Sequence, residues 1–320
     1  MATDTAARPV LSLGEILIDF IVADGATSLE TAETFVARAG GAPCNAVVAL
    51  ARLGIPSAFC GVAGADPFGA RLRAELAAEG VDTSRLRLTT AAGTTFAYAW
   101  KDGRGDGHFW LLRGADTTLN DDDVDAAGIP DVTAVIVGSV ALAAQPSRSA
   151  IEHAVHTART ASVPVVFDVN LRPSLWRDLA EARQAAESIA AQSTIVKLSL
   201  DDAVGLYGDL DPARAIAIVL AHGPDAVVLT DGDRGSWFAS RADGEPIHVP
   251  AFRVDAVEPT GAGDAFTASL IARLLASQWA APTASDVRAA SAAGALATTR
   301  RGAWDGLPTR QQLDAFLMRL

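Results

Sequence analysis

Cysteine is almost missing from this chain: Cys44 and Cys60 are the only two among 320 residues. Two thiols make no disulfide framework, and alone they cannot complete a structural zinc site. Long apolar runs are missing as well, and no stretch approaches the roughly 18 consecutive apolar residues of a membrane-spanning helix. The opening MATDTAARPV has no apolar core of the kind a signal peptide carries. Positive charge is scarce: 26 Lys and Arg against 38 Asp and Glu give a formal net charge of −12. That balance argues against the clustered basic face of a nucleic-acid-binding protein. The chain is therefore expected in the cytoplasm, with neither nucleic acid nor membrane as a partner.

What is present suits a folded enzyme-sized protein. Hydrophobic residues make up 50% and charged residues 20%, the proportions of a globular chain rather than a disordered one. The length supports a substantial core. Apolar runs PVLSLG, AFCGV, TAVIVG, PVVFD, TIVKL and AVVLT read as buried strands, and helical patterns at 44–53, 68–79, 147–160 and 211–221 lie between them. Strands without strict alternation, separated by helices, predict a parallel sheet covered on both faces, with any site at the carboxyl ends of the strands.

Two segments break that rhythm. LIDFIVADGATSLETAETFVARAGG and GTTFAYAWKDGRGDGHFWLLRGAD hold short alternating runs, and the second reads as a hairpin, TFAYAW and HFWLLR, around the Gly/Asp-rich turn 101–107. Both are expected as antiparallel strands of a small sheet, inserted at about 16–38 and 94–114. Residues 1–320 would then form one α/β domain: a central, mostly parallel sheet flanked by helices, with a small β lid. The Ala-rich VRAASAAGALATT is helix-prone, and no internal repeat or low-complexity tract occurs.

Three stretches carry candidate chemistry. In VEPTGAGDAFTASL (257–270), Gly261, Ala262 and Gly263 run into Asp264, and Phe266, Leu270, Ile271 and Leu274 then mark one helix face. Small residues let consecutive N–H groups face an anion, and the start of a helix adds its positive dipole end. A carboxylate beside a phosphate makes sense as a base that deprotonates an attacking hydroxyl; as a plain alternative, Asp264 caps the helix. In AGGAPCNAVVALARLG (39–54), Gly40 and Gly41 allow close approach of the backbone, Pro43 suits a first helical turn, and Asn45 offers donors and an acceptor to a polyol. In VVFDVNLRPSLW (165–176), a strand delivers Asp168, Asn170 and Arg172 in alternation at its exit. No Walker A lysine accompanies the Gly261 turn. No GxGxxG follows the first strand, which argues against a nicotinamide-dependent oxidoreductase.

In this order, GGAPCN…ARLG, DVNLRPSLW and TGAGDAF resemble the signatures of PfkB-type carbohydrate kinases, the ribokinase-like family, over 14–303. The resemblance implies a central sheet with a β lid over the sugar, ATP and Mg2+ as cofactors, and a small-molecule sugar as the other substrate. It implies that Asp264 is the base and that the amides of Gly261, Ala262 and Gly263 form the anion hole. Asp19 of GEILIDF, Gly40, Gly41 and Asn45 would bind sugar hydroxyls, with Arg172 between sugar and phosphate. LTDGDRGSWF looks like the nucleotide-side loop, placing Thr230, Gly232 and Gly235 near ATP, although alone it also reads as a hairpin with Gly turns. Ser291 stands where some relatives set an Asn against adenine.

The chain also departs from the family pattern. Glu258-Pro259-Thr260 replaces Asp-Thr-Thr, where Glu258 and Thr260 would join carbonyls of 298–303 around K+. Ser199-Leu-Asp-Asp202 replaces Asn-x-x-Glu, leaving Asp202 to serve Mg2+ indirectly. Lys197 would lend charge to the phosphates, or simply end a strand in solvent.

FWLLRGADTTL, NLRPSLW and GEILIDF resemble the fructokinase-like branch, so an unphosphorylated sugar, fructose first, is the expected substrate. 2-Keto-3-deoxygluconate, held through Arg113 or Arg172, comes second; ribose follows. Arg113 equally reads as a surface-paired arginine. A non-catalytic sugar or nucleotide sensor of the same fold would have no need of Asp264. Phe96, Tyr98, Phe109 and Trp110 on the lid fit either a homodimer through the lid or packing within one chain.

Overall fold

The computed structural model describes residues 8–104 and 107–319. The strands among them are β1 (Val10–Leu13), β2 (Leu17–Val22), β3 (Phe35–Gly40), β4 (Ser57–Gly64), β5 (Leu86–Thr89), β6 (Thr95–Lys101), β7 (Gly107–Leu112), β8 (Ala134–Gly138), β9 (Val165–Asp168), β10 (Ile195–Ser199), β11 (Ala226–Thr230), β12 (Ser236–Ser240) and β13 (Ile247–Val249). Nine of them form the main sheet, in the order β13-β12-β11-β10-β9-β8-β1-β4-β5. All pairs from β5 to β11 are parallel, and only the β11–β12 and β12–β13 pairs at one edge are antiparallel.

The apolar runs are continuous because both faces of this sheet are covered. On β1, Leu11 and Leu13 pack to one side with Val135, Val137 and Phe167, while Val10 packs to the other with Ile136 and Val166. Helices Ser147–Thr160, Leu179–Ala190 and Pro212–Ala221 cover the first face; helices Ala42–Arg52, Pro67–Ala78, Ala262–Ala276 and Ala284–Ala297 cover the second. The Ala-rich tract is the last of these. Its small side chains let it lie close against Ala262–Ala276, and a Cβ on Gly294 would sit 3.1 Å from the Ala262 carbonyl oxygen. Bulk there would push on the start of the very helix that bears Asp264. Pro43 falls in the first turn of Ala42–Arg52 and Gly54 follows its end at φ +76°, as the sequence pattern requires.

Four strands form the small sheet, in the order β3-β2-β6-β7. The hairpin β6–β7 is antiparallel as expected; the tip of its turn, residues 105 and 106, lies outside the described residues. The expectation of an all-antiparallel lid is corrected at its centre, where β2 and β6 pair in parallel, Leu17 with Thr95 through Ile21 with Ala99. The cause is topological. Each insertion leaves the main sheet after a parallel strand, β1 or β5, so both enter the lid in the same direction. Phe20, Phe68 and Phe96 join lid to body, with ring centroids 5.2–6.0 Å apart. Among the described residues, no helix is long and apolar enough to cross a membrane.

Candidate active site

The strand order reverses at β1: β4 and β5 lie on one side, β8 onward on the other. Such a switch point leaves a crevice beyond the carboxyl ends of the strands. Here it is a cavity of about 270 Å³. Glu15 enters it after β1, Val140 after β8, Asn170 and Arg172 after β9, and Lys197 from β10. The lid contributes Leu17, Asp19, Ala97, Phe109 and Leu111. Gly41, Ala42 and Asn45 line one wall, and Thr260, Gly261, Gly263 and Asp264 another.

The glycines earn their positions sterically. Gly261 adopts φ +83°, and a Cβ there would lie 2.9 Å from the Ala303 carbonyl oxygen. Gly40 does not line the cavity, but a Cβ on it would lie 2.0 Å from Asp19 Oδ2, so its bareness is what admits that carboxylate. The helix Ala262–Ala276 begins at Gly261 without a side-chain cap, which removes the capping role for Asp264. Of the expected anion-hole residues, Ala262 is not on the cavity wall, and its N–H donates to the Pro259 carbonyl at 3.1 Å. The tight turn at Gly261 folds that amide back on its own loop. Gly261 and Gly263 remain at the wall.

Asp264 is buried, and its Oδ2 accepts a hydrogen bond from Asn45 Nδ2 at 2.8 Å. Burial pushes its pKa up to about 6, with the Asp168 charge adding to the rise; the Asn45 donor, then Lys197 and Arg172, restrain it. Asp19 is pushed up to about 7, by burial first, against the pull of Arg172. Arg172 donates to the Leu171 carbonyl at 3.0 Å and lies 5.9 Å above the Phe109 ring, spanning strand exit and lid. Lys197 does not end in solvent. It is 5% exposed and pairs with both oxygens of Asp168, at 3.0 and 3.2 Å, while Thr267 donates to the same carboxylate at 2.7 Å.

Asp168, Asn170 and Arg172 do not alternate along one strand. β9 ends at Asp168 and Asn170 turns to φ +40°, so Asp168 anchors Lys197 while the other two reach the cavity. Asp202 also stands away from the cavity: its oxygens accept the N–H groups of Leu171 at 2.7 Å and Ser199 at 2.8 Å, bracing the loop that carries Arg172. Glu258 accepts from the Gly302 N–H at 3.3 Å, beside the 298–303 turn. Thr230, Gly232 and Gly235 lie at the β11–β12 turn, outside the cavity, and Ser291 Oγ is 3.4 Å from Ser236 Oγ on β12. Arg113 is occupied: it grips Asp116 through Nε and Nη2 and donates to the Val140 carbonyl.

Two residues escaped the sequence reading. Trp304 donates from Nε1 to Asn45 Oδ1 at 2.8 Å, a contact across 259 positions that no local pattern announces. Glu15 was legible in principle, since it lies just past the carboxyl end of β1, one residue beyond Gly14. It is 3% exposed; Oε1 accepts the Ala42 N–H at 3.2 Å, and Oε2 has no partner among the described residues. Burial raises its pKa from 4.5 to about 7. A raised carboxyl pKa stabilises the fold fully below the unfolded value, and that contribution is lost as pH rises through the folded one. Replacing Glu15 by Gln is therefore expected to flatten the dependence of unfolding free energy on pH between about 4.5 and 8, by on the order of 3 kcal/mol. Urea titrations of both proteins across that range check it; an unchanged slope contradicts it.

The comparisons with known proteins agree with this arrangement. The model of the pfkB family carbohydrate kinases matches residues 7–310. Fructokinase-1 of Zea mays is 34% identical over 314 residues, covering 95% of this chain and 96% of the relative. The Klebsiella pneumoniae fructokinase is 38% identical over 286 residues, 87% of this chain and 91% of the relative. A fructokinase double mutant from Vibrio cholerae, solved with fructose, ADP and a potassium ion, superposes with a TM-score of 0.85 at 30% identity, covering 97% of this chain and 99% of that one. With a family model matching residues 7–310 and relatives 34% and 38% identical over most of its length, the chain belongs to the pfkB family of carbohydrate kinases.

Proposed function

We propose that this kinase transfers the γ-phosphate of ATP to a hydroxyl of unphosphorylated fructose. The observation that carries the reading is Asp264: a carboxylate with a pKa of about 6, held on the cavity wall by a single amide, directly beside Gly261 and Gly263 at the start of a helix. In this reading Asp264 takes the proton of the attacking hydroxyl. The Gly261 turn, with Gly263 and the helix dipole, stabilises charge on the transferred group. Phosphoryl transfer asks chiefly for such positioning and charge stabilisation.

Asp19, Asn45 and the Gly40–Gly41 backbone are assigned to sugar hydroxyls, Phe109 and Leu111 to the carbon face, and Arg172 to the gap between sugar and phosphate. Fructose is favoured by the names of the relatives and by the wall itself, whose Asp, Asn and Gly groups suit a neutral polyol. Arg113, engaged by Asp116, is not available to a sugar acid. Thr230, Gly232, Gly235 and Ser291 are assigned to the nucleotide, and Lys197 to its phosphates.

Among the described residues, no group of three or more His, Cys, Asp or Glu is arranged to hold a metal. Mg2+ is accordingly proposed to arrive on the ATP phosphates, where it neutralises their charge, with Asp202 acting only by bracing the Arg172 loop. Glu258 and Thr260, beside the carbonyls of 298–303, form a hard oxygen donor set that suits K+. We further assign residues 1–320 to one catalytic domain working in the cytoplasm, and the half-exposed Trp110, on the lid face opposite Phe109, to a lid-to-lid homodimer.

The test is a panel of ketoses, aldoses, nucleosides and sugar acids with ATP and Mg2+, reading ADP release. Fructose is expected to give the highest kcat/KM. Binding of sugar and ATP without turnover would instead identify a sensor. Substituting Arg172 by Ala should raise the fructose KM or lower kcat by about tenfold, the scale of a lost charge-assisted contact. If neither changes, Arg172 is not part of the site.

A further inference from the structure

We propose that Trp304 is a positioning residue for phosphoryl transfer: its indole N–H fixes the Asn45 side-chain amide in the orientation that donates to Asp264. The inference rests on Asp264 being the base. An Asn side chain can turn over by rotating its terminal amide, which exchanges an acceptor for two donors. At position 45 one orientation satisfies both neighbours. Trp304 Nε1 donates to Oδ1 at 2.8 Å, and Nδ2 donates to Asp264 Oδ2 at 2.8 Å. In the turned-over state the indole N–H would face an NH2 group and the carboxylate would face a carbonyl oxygen. Asn45 is 5% exposed, so water cannot repair either mismatch cheaply. An indole nitrogen donates and never accepts, which makes Trp304 the group that decides the amide's direction.

Trp304 is itself held from outside the site. It lies on the short helix Ala303–Gly306. Arg52 donates to the carbonyls of Trp304 and Leu307, and is gripped by both oxygens of Glu79, at 2.6 and 2.8 Å. A chain of donors and acceptors thus runs Glu79, Arg52, Trp304, Asn45, Asp264. The other charged groups facing Asp264 are Asp168 on β9, Lys197 on β10, Arg172 after β9 and Asp19 on the lid strand β2. Among the described residues, none of them shares a hydrogen bond or ion pair with Trp304. Removing the indole N–H therefore acts on the base through Asn45 alone. The amide is released to rotate, Asp264 loses the donor that favours its ionised form, and its pKa rises.

The experiment is Trp304→Phe, measured as a pH profile and within a double-mutant cycle with Asn45→Ala. In the single variant kcat is expected to fall about tenfold, the scale of a misaligned reacting group. The acid limb of kcat/KM should move to higher pH than in the parent enzyme. In the Asn45→Ala background, adding Trp304→Phe should change neither rate nor profile. An unmoved acid limb in the single variant, or two losses that multiply in the cycle, overturns the proposal by making Trp304 a packing residue only. Should Trp304→Phe fail to fold, benzothienylalanine at position 304 keeps the bicyclic shape and deletes the donor, and the same readouts apply. Inactive Asp264→Asn beside normal Trp304→Phe would sink this inference and leave the assigned base standing; active Asp264→Asn would sink the base.

Discussion

Replacing Asp264 by Asn is expected to lower kcat by at least ~100-fold, the scale of a lost general base, while sugar and ATP still bind. The substitution is nearly isosteric, and an amide oxygen at the same place can still accept from Asn45 Nδ2, now at 2.8 Å from Oδ2. The wall of the cavity is therefore kept and only the proton acceptor is lost. Turnover is read by ADP release and binding by calorimetry, so loss of chemistry separates from loss of substrate. The parent enzyme supplies a second readout. With Asp264 near 6, kcat/KM should climb as pH rises through that value, because the base works only when ionised. Turnover close to that of the parent, or binding lost together with rate, contradicts the assignment.

Removing the Lys197 charge, by Lys197→Met, should cost stability rather than chemistry alone. Burial by itself would depress this ammonium, but the carboxylates of Asp168 and Asp202 outweigh that and hold its pKa above the ordinary lysine value. Lys197 and Asp168 are 5% and 6% exposed and 3.0 Å apart, so deleting the cation strands a carboxylate that, among the described residues, only the Thr267 hydroxyl then satisfies. Breaking one side of such a buried pair costs about 3–5 kcal/mol. Adding Asp168→Asn to the same protein should return most of that loss, since the uncompensated charge is gone. Urea denaturation of the three proteins gives the answer, and a loss below about 1 kcal/mol, typical of an exposed pair, would mean that the pair is not isolated from water. The lysine also reaches the glycine turn beside Asp264: a Cβ on Gly263 would lie 2.9 Å from its Nζ. Its loss should therefore lower kcat in whatever folded protein remains.

Local patterns were readable in the chain because their physics is local. Continuous apolar runs mark strands buried on two faces, helical spacing marks the helices between them, and Gly261 to Asp264 announces a bared turn at a helix start. The small sheet was visible through its alternating runs and its Gly/Asp turn. The short β5 and the edge strand β13 were not read, since a few partly exposed residues give little periodic signal, and β12 was read only as the second arm of an alternative hairpin.

Other features needed the chain folded. Whether β2 and β6 run parallel is set by where each insertion leaves the main sheet, not by either segment's own residues. Whether Lys197 faces solvent or Asp168 depends on two neighbouring strands whose partners are 29 positions apart. That Asp202 braces the loop carrying Arg172 follows from Leu171 lying within its reach, 31 positions away along the chain. Asn45 meets Asp264 across 219 positions and Trp304 across 259. The sequence by itself determined which segments become strands and helices and which residue carries the candidate base, because spacing and side-chain size act over a few residues. Only the tertiary structure decided which groups hold that base, orient its amide and balance its charge, because hydrogen bonds and buried charges are settled by proximity in space, and proximity is made by the fold.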